Sequence, residues 1–291
     1  MGSDCSIRLF ADDEEHALSI ALAAEAEVRR IEMRFSRYRP ESELSRINQI
    51  AAVGGTARID SETAALLAFA ETCFRKSDGA FDITSGLLRQ AWDFKTPKLP
   101  DPDLIESLLP RIGQALLTLR PDEVAFGRPG MEIDLGGVGK EYAADRAAEI
   151  CLEQGIRHGF VDLSGDIRVI GPQPDGAPWR FGIRHPRDPS KLTAQVDIAG
   201  GALATSGDYE RFIEVNGRRY CHILDPRTGW PGEGLSSVTV ITDRCLVAGA
   251  LATAAMVKGA AGRVWLESLD VGSTIVTADG EIGGSALRSS S

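Results

Sequence analysis

Apolar residues recur along this chain at two different spacings, and the change from one to the other divides it. The first part is helical in period. Ile20, Ala24, Val28 and Ile31 follow at intervals of four, four and three behind Asp12, Asp13 and Glu14, which predicts a helix with one buried face and acidic residues at its start. Asp60 and Ser61 are candidate caps of a second helix, where Ala65, Phe69 and Cys73 recur every four residues before Gly79, so these three are its predicted core face. Asp101-Pro102 opens a third, weaker helix ending near Gly113, and the stretch after Lys140 (EYAADRAAEICLEQG) forms a fourth, stopped by Gly155. Ahead of them all, residues 4–10 alternate as a strand does.

From about residue 158 the runs shorten and turn β-rich: HGFVDL, DIRVI, WRFGIR, AQVDI, RFIEV and SVTVIT, separated by Gly, Pro and Asp. RFIEV and RRYCHIL meet through Asn216-Gly217, the dipeptide that a tight hairpin turn favours, so the pairing is mainly antiparallel. A last helix, CLVAGALATAAMVKG, precedes a closing strand in STIVTAD. No internal repeat or low-complexity linker intervenes, and residues 1–291 read as a single α+β domain with mainly antiparallel sheets flanked by helices.

Composition narrows the function without naming it. Hydrophobic residues at 43% and charged residues at 25% are ordinary for a globular chain, and no run approaches the roughly 20 apolar residues of a membrane helix. Lys plus Arg number 32 against 42 Asp plus Glu, a net charge of -10, so a broad nucleic-acid surface would work against the overall field. The five cysteines (Cys5, Cys73, Cys151, Cys221, Cys245) are scattered with no CxxC pair and read as small buried hydrophobes rather than disulfides or zinc ligands. No basic segment followed by an apolar run opens the sequence as given, so the expected location is cytoplasmic; an exported form whose signal had been trimmed would read the same way.

Four stretches carry candidate chemistry. In EIDLGGVGKEYAADRA (132–147) a strand-like start runs through Gly136, Gly137 and Gly139 directly into a helix. Such a turn lets backbone N–H groups approach a phosphate at a helix N-terminus, with Lys140 adding a full charge; alone, it reads more often as a tight turn with a solvated lysine. In ALATSGDYERF (202–212) and RYCHILDPRTGWP (219–231), His222 stands at a strand end, three residues before Asp225. A lone strand histidine is more often structural than basic, unless Thr205, Ser206, Asp225 and Thr228 share its mouth. Thr253, in the Ala-rich last helix, would by itself return its hydroxyl to the backbone. FSRYRPESELSRIN (35–48) crowds aromatic, basic and hydroxyl residues ahead of a helical turn, and GAFDIT (79–84) is similar in character; Tyr38 and Phe81 suit a planar ring.

Taken in order, the starting MGS, YRPESELSRIN, GAFDIT, DLGGVGKEYAAD, LSGDIRVIG, ATSGDYER, HILDPRTGWP and ALATAAMVKG resemble the signatures of the ApbE family of FAD:protein FMN transferases over almost the whole chain. The resemblance implies a T-fold-like α+β domain, FAD in a cleft and Mg²⁺ at its diphosphate. Matched by position, Met1, Tyr38, Ala80, Phe81, Asp82, Asp134, Lys140 and Ile223 fall where the family contacts FAD. Gly137, through its carbonyl, and Thr253 match metal ligands, and His222 is the candidate catalytic base.

Two departures stand out. The family's metal-binding aspartate, four residues before the threonine, is Gly249 here; Asp243 or Asp208 are the carboxylates that could replace it. Ser164-Gly165-Asp166 stands where the family shows two glycines before the aspartate. The implied reaction moves FMN from FAD to a Ser/Thr hydroxyl of an electron-transfer flavoprotein subunit, with AMP released. The alternatives are an FAD-binding protein disabled by Gly249 and an Mg²⁺-dependent FAD pyrophosphatase.

Overall fold

In the computed structural model, which describes residues 4–286, strand β1 (Cys5–Phe10) leads into helices α1 (Glu14–Phe35) and α2 (Glu43–Val53). Strand β2 (Thr56–Arg58) and helix α3 (Ser61–Lys76) follow, then a 3₁₀ helix over Ile83–Gln90, helix α4 (Pro102–Leu108) and strands β3 (Leu117–Arg120) and β4 (Glu123–Phe126). Helix α5 (Gly139–Glu153) precedes a run of strands: β5 (His158–Leu163), β6 (Asp166–Gly171), β7 (Trp179–Arg184), β8 (Leu192–Ile198), β9 (Gly201–Gly207), β10 (Phe212–Val215), β11 (Arg218–Cys221) and β12 (Leu235–Thr242). Helices α6 (Cys245–Lys258) and α7 (Ala260–Glu267) and strands β13 (Gly272–Thr277) and β14 (Ile282–Gly283) complete the described chain.

A seven-stranded antiparallel sheet, ordered β1-β5-β6-β9-β12-β13-β14, organises the fold. Alternation along its strands sorts side chains to two faces. Ala202 and Ala204 of β9 join the main core under the helices, whereas Leu203 joins Ile167 and Val169 against Trp179, Ile183, Val196 and Ile198 of the β7–β8 hairpin. On the helical face α5 packs against α1 and α6, and α6 lies on β9 and β12. Its Ala248, Ala250, Ala252, Ala254 and Ala255 are all buried, and side chains that small let α6 approach closely. A third cluster, with Leu88, Trp92, Ile105 and Ile213 at its centre, sits beneath the β10–β11 hairpin.

Asp60, a predicted cap, accepts from Thr63 N and caps α3; within the acidic start of α1 it is Asp13 that caps, accepting from Glu15 N. Asn216 and Gly217 both take positive φ, 54° and 76°, as the two-residue turn between β10 and β11 requires.

Four readings need correction. The buried face of α3 is Thr63, Leu66, Leu67 and Ala70, while Ala65 is exposed and Phe69 and Cys73 are half-buried; the every-fourth pattern was real but weaker than the pair Leu66-Leu67. The helical turn after Tyr38 is an 11-residue helix, capped by Ser42. ALATSG is a central strand, β9, whose alanines alternate too quietly to advertise it. Cys5 is exposed and Cys73 half-buried, so only Cys151, Cys221 and Cys245 are buried as expected.

Candidate functional site

The segment from Asp134 to Glu141 is held on every side. Asp134 donates its N–H to Ile83 O (2.7 Å), accepts from Gly136 N through Oδ1 (2.8 Å) and pairs with Arg37 through Oδ2. Gly86 permits this approach, because a Cβ there would lie 2.4 Å from Asp134 Cβ. Val138 and Gly139 then both donate to Leu135 O, and α5 begins with no side-chain cap. That leaves amides at its N-terminus for other acceptors.

Across from it, α6 runs antiparallel to α5 in a fixed register. A Cβ on Gly137 would lie 4.0 Å from Thr253 Oγ1, a Cβ on Gly249 would lie 2.5 Å from Glu141 Cγ, and Asp145 accepts from Cys245 N (2.9 Å) and Leu246 N (3.0 Å). Asp145 thus caps α6, whose own Arg244 supplies no side-chain cap. Thr253 turns its hydroxyl to Ser206 Oγ, 3.1 Å away on β9, and so into the gap between helix and sheet. It does not behave as a self-satisfied helix threonine.

Charge is concentrated at this crossing. Lys140 Nζ lies 2.8 Å from Asp166 Oδ2, whose side chain is only 3% exposed. Burial pulls the Lys140 pKa down, but the Asp166 and Glu141 charges more than offset it and leave it raised. Glu141 is itself buried, with Oε2 lacking a hydrogen-bond partner among the described residues. Loss of water, the adjacent Asp166 charge and a carboxyl–carboxyl hydrogen bond with Asp166 push its pKa well up, against the pull of the Lys140 charge. Two carboxylates and one ammonium leave an unbalanced negative charge in a dry place, a poor arrangement unless a proton or a cation completes it.

These donors bear on the implied Mg²⁺. Among the described residues no three His, Cys, Asp or Glu side chains form a ready-made metal cluster. The crossing instead offers oxygens alone: the Glu141 carboxylate, the Thr253 hydroxyl and the Gly137 backbone. Mg²⁺ is commonly held by one or two carboxylates and completed by substrate phosphates and waters, so the orphaned Glu141 oxygen fits such an ion. Neither expected substitute for Gly249 serves. Asp208 is bound bidentately by Arg187 at 2.6 and 2.7 Å, and Asp243 is exposed in the turn before α6.

A second group lines the rim. Tyr38 is 70% exposed. Its hydroxyl accepts from Arg37 (2.9 Å) while the Arg37 guanidinium lies 5.0 Å from its ring centre. Partial burial would raise the phenol's pKa, but hydrogen bonds and charge from Arg37 and Arg211 lower it overall. His222 follows β11 with its outer edge in solvent and Phe94 edge-on at 6.5 Å. Its backbone N–H and its Nδ1 both meet Arg211 O, at 3.0 and 3.2 Å. A carbonyl only accepts, so the neutral ring carries its proton on Nδ1 and presents Nε2 as a lone pair. Desolvation lowers the His222 pKa; its hydrogen bond to Arg211 O opposes that, and the Arg211 and Arg37 charges reinforce it.

The remaining predicted residues are placed differently. Ala80 and Phe81 are buried, with the Phe81 ring edge 3.4 Å from where a Gly137 Cβ would stand. Asp82 accepts from Thr84 N, Thr84 Oγ1 and Gln114 N (2.8, 2.6 and 3.1 Å) and caps the 3₁₀ helix, while burial raises its pKa. Ile223 is buried beside His222. Thr205 bonds Thr239 on the opposite face of the sheet from Ser206, and Thr228 belongs to the Asp225 turn. Met1 lies outside the described residues.

Sequence reasoning missed Arg37, Glu141, Asp166 and Arg211. Arg37 and Arg211 were visible beside aromatic and hydroxyl residues, but no spacing ties residues 37, 134, 211 and 222 together. Glu141 looked like an ordinary first-turn helix acid. Only the helix crossing turns it inward.

The ApbE family's sequence model matches residues 1–276. An FAD:protein FMN transferase of Vibrio cholerae is 34% identical over 230 residues, covering 77% of this chain and 69% of that protein. One from Haemophilus influenzae is 30% identical over 272 residues, covering 89% and 79%. Among solved structures, the ApbE protein of Thermotoga maritima superposes with a TM-score of 0.90 at 32% identity, over 99% of this chain and 97% of that one.

Proposed function

The chain belongs to the ApbE family, and from that membership we propose that it is an FAD:protein FMN transferase using Mg²⁺. It moves FMN from FAD to a Ser/Thr hydroxyl of a target flavoprotein, an electron-transfer subunit, and releases AMP. The observation that carries this reading is the pairing of an open aromatic and cationic rim, Tyr38 with Arg37 and Arg211, with an oxygen-lined helix crossing at Gly137, Glu141 and Thr253.

In this reading Tyr38 would cover the flavin ring and Asp134 would meet a polar edge of the cofactor, with Ala80, Phe81, Asp82 and Ile223, all buried, and Met1 as the further contacts the family pattern supplies. Lys140, already paired with Asp166, would lend its remaining field to the diphosphate. Phosphoryl transfer is catalysed chiefly by positioning and charge stabilisation. Mg²⁺, held by Thr253, the Gly137 carbonyl and a carboxylate, would supply charge neutralisation at the diphosphate. The acceptor hydroxyl oxygen forms a bond to the flavin-side phosphorus, the bond from that phosphorus to the bridging oxygen breaks, and AMP departs with that oxygen. His222 Nε2, held free by the Nδ1 contact, takes the hydroxyl proton.

Chromatographic measurement of AMP from FAD, with and without a flavin-acceptor subunit, tests the reading. Transfer predicts AMP release that needs the acceptor and matches it in amount. Equal AMP release without acceptor would make the protein an FAD pyrophosphatase, and none in either case would make it a flavin-binding relative.

A further inference from the structure

Gly249 leaves a gap at the helix crossing, and a different residue fills it. A Cβ built on Gly249 would meet Glu141 Cγ at 2.5 Å, Glu141 Oε1 at 2.8 Å and Glu141 Cδ at 2.9 Å. The Glu141 side chain therefore lies over the backbone of α6 in the space that a side chain at residue 249 would need. The crossing register puts Glu141 one helical turn after Gly137, and Gly249 one turn before Thr253, so one carboxylate reaches the same local space from the opposite helix. Glu141 is 7% exposed; its carboxyl is in hydrogen-bond contact with the Asp166 carboxyl, and its Oε2 has no partner among the described residues. A buried carboxylate oxygen left so calls for a proton, a water or a cation to complete it, and the oxygens of Thr253 and Gly137 on the same crossing favour the cation.

We infer that Glu141 is the carboxylate ligand of the divalent cation in this protein, delivered from α5 in place of a carboxylate at position 249 on α6. The inference rests on the proposed Mg²⁺-dependent reading and names the residue that makes it workable in this chain. The glycine at 249 is then not a lesion. It is the condition that lets the longer glutamate cross over, and the two positions exclude each other's side chains. Thr253 contributes from the same helix face, and Ser206 orients the Thr253 hydroxyl.

The test is Mn²⁺ titration of the FAD-loaded protein, read from the electron paramagnetic resonance signal of free Mn²⁺, beside FMN transfer to an acceptor subunit. Glu141→Gln, nearly identical in shape, should weaken Mn²⁺ binding at least tenfold. Gly249→Asp alone should bind no better than the parent, because its side chain meets Glu141. The double variant Glu141→Ala with Gly249→Asp should recover Mn²⁺ affinity to within a few-fold of the parent, and it gives a second route if Glu141→Gln does not fold. Parental Mn²⁺ affinity in Glu141→Gln, a double variant as weak as Glu141→Ala alone, or no Mn²⁺ binding by the parent would each overturn the inference. The Mn²⁺ readout needs no acceptor. A parent that binds Mn²⁺ through Glu141 but transfers no FMN would refute the transferase reading and leave the ligand assignment standing.

Discussion

Lys140 Nζ lies 2.8 Å from Oδ2 of the buried Asp166, joining the first turn of α5 to the start of β6. The Gly-rich turn before α5 invites a reading of Lys140 as a free phosphate anchor. Its charge is instead already committed, and Asp166 Oδ1 also accepts from Thr205 N at 3.3 Å. Lys140→Ala would leave Asp166 enclosed without its cation. Truncating one partner of a buried pair costs about 3–5 kcal/mol; the partial exposure of Lys140 brings the expected loss to about 2 kcal/mol in urea unfolding. An unchanged midpoint would mean that Lys140 serves the ligand alone.

His222 should set the acid limb of activity. Its pKa is lowered, so the folded protein holds the ring neutral down to a pH below the ordinary value of about 6.5. The reactive form is the unprotonated one; the transfer rate is therefore full above that range and falls as pH drops through the lowered pKa. His222→Ala should bind FAD normally and transfer about 10²–10⁴-fold more slowly. Full-rate transfer by that variant would remove His222 from the reaction.

Tyr38 offers a ligand-binding test with little folding cost, because its ring is 70% exposed. Tyr38→Ala should weaken FAD binding by roughly tenfold, the scale of one aromatic contact, whereas Tyr38→Phe should lose much less. Fluorescence titration of FAD measures both. Equal loss in the two variants would place the contribution in the hydroxyl and its Arg37 partner.

Ser164 sits at φ 60° and Gly165 at φ 89°, in the turn between β5 and β6. A non-glycine residue in the left-handed region costs about 1–2 kcal/mol. Ser164→Gly removes that strain but gives the unfolded chain more freedom, so the expected net stabilisation in urea unfolding is about 0.5–1 kcal/mol. A destabilised variant would mean that the serine side chain makes a compensating contact.

What the sequence disclosed follows from how local each signal is. The face of α1, the cap at Asp60 and the Asn216-Gly217 turn are decided within a few residues, and the structure has them where the pattern puts them. Strand β9 was hidden because alanine and glycine carry little periodicity, though its neighbours in the sheet make it central. Family motifs reached His222, Asp134 and Thr253 one by one. The link between Glu141 and Gly249 spans two helices and depends on their register, which no spacing along the chain encodes.

The central claim is transfer of FMN to another protein, and intact-mass spectrometry measures it directly. A flavoprotein subunit that carries FMN covalently in its native form, prepared without its own transferase, is incubated with this protein and FAD, with and without Mg²⁺. The account predicts a gain of one FMN on the acceptor that requires both the enzyme and Mg²⁺ and disappears when the acceptor Ser/Thr is changed to Ala. An acceptor mass unchanged under all conditions, while FAD still binds to the enzyme, would contradict it.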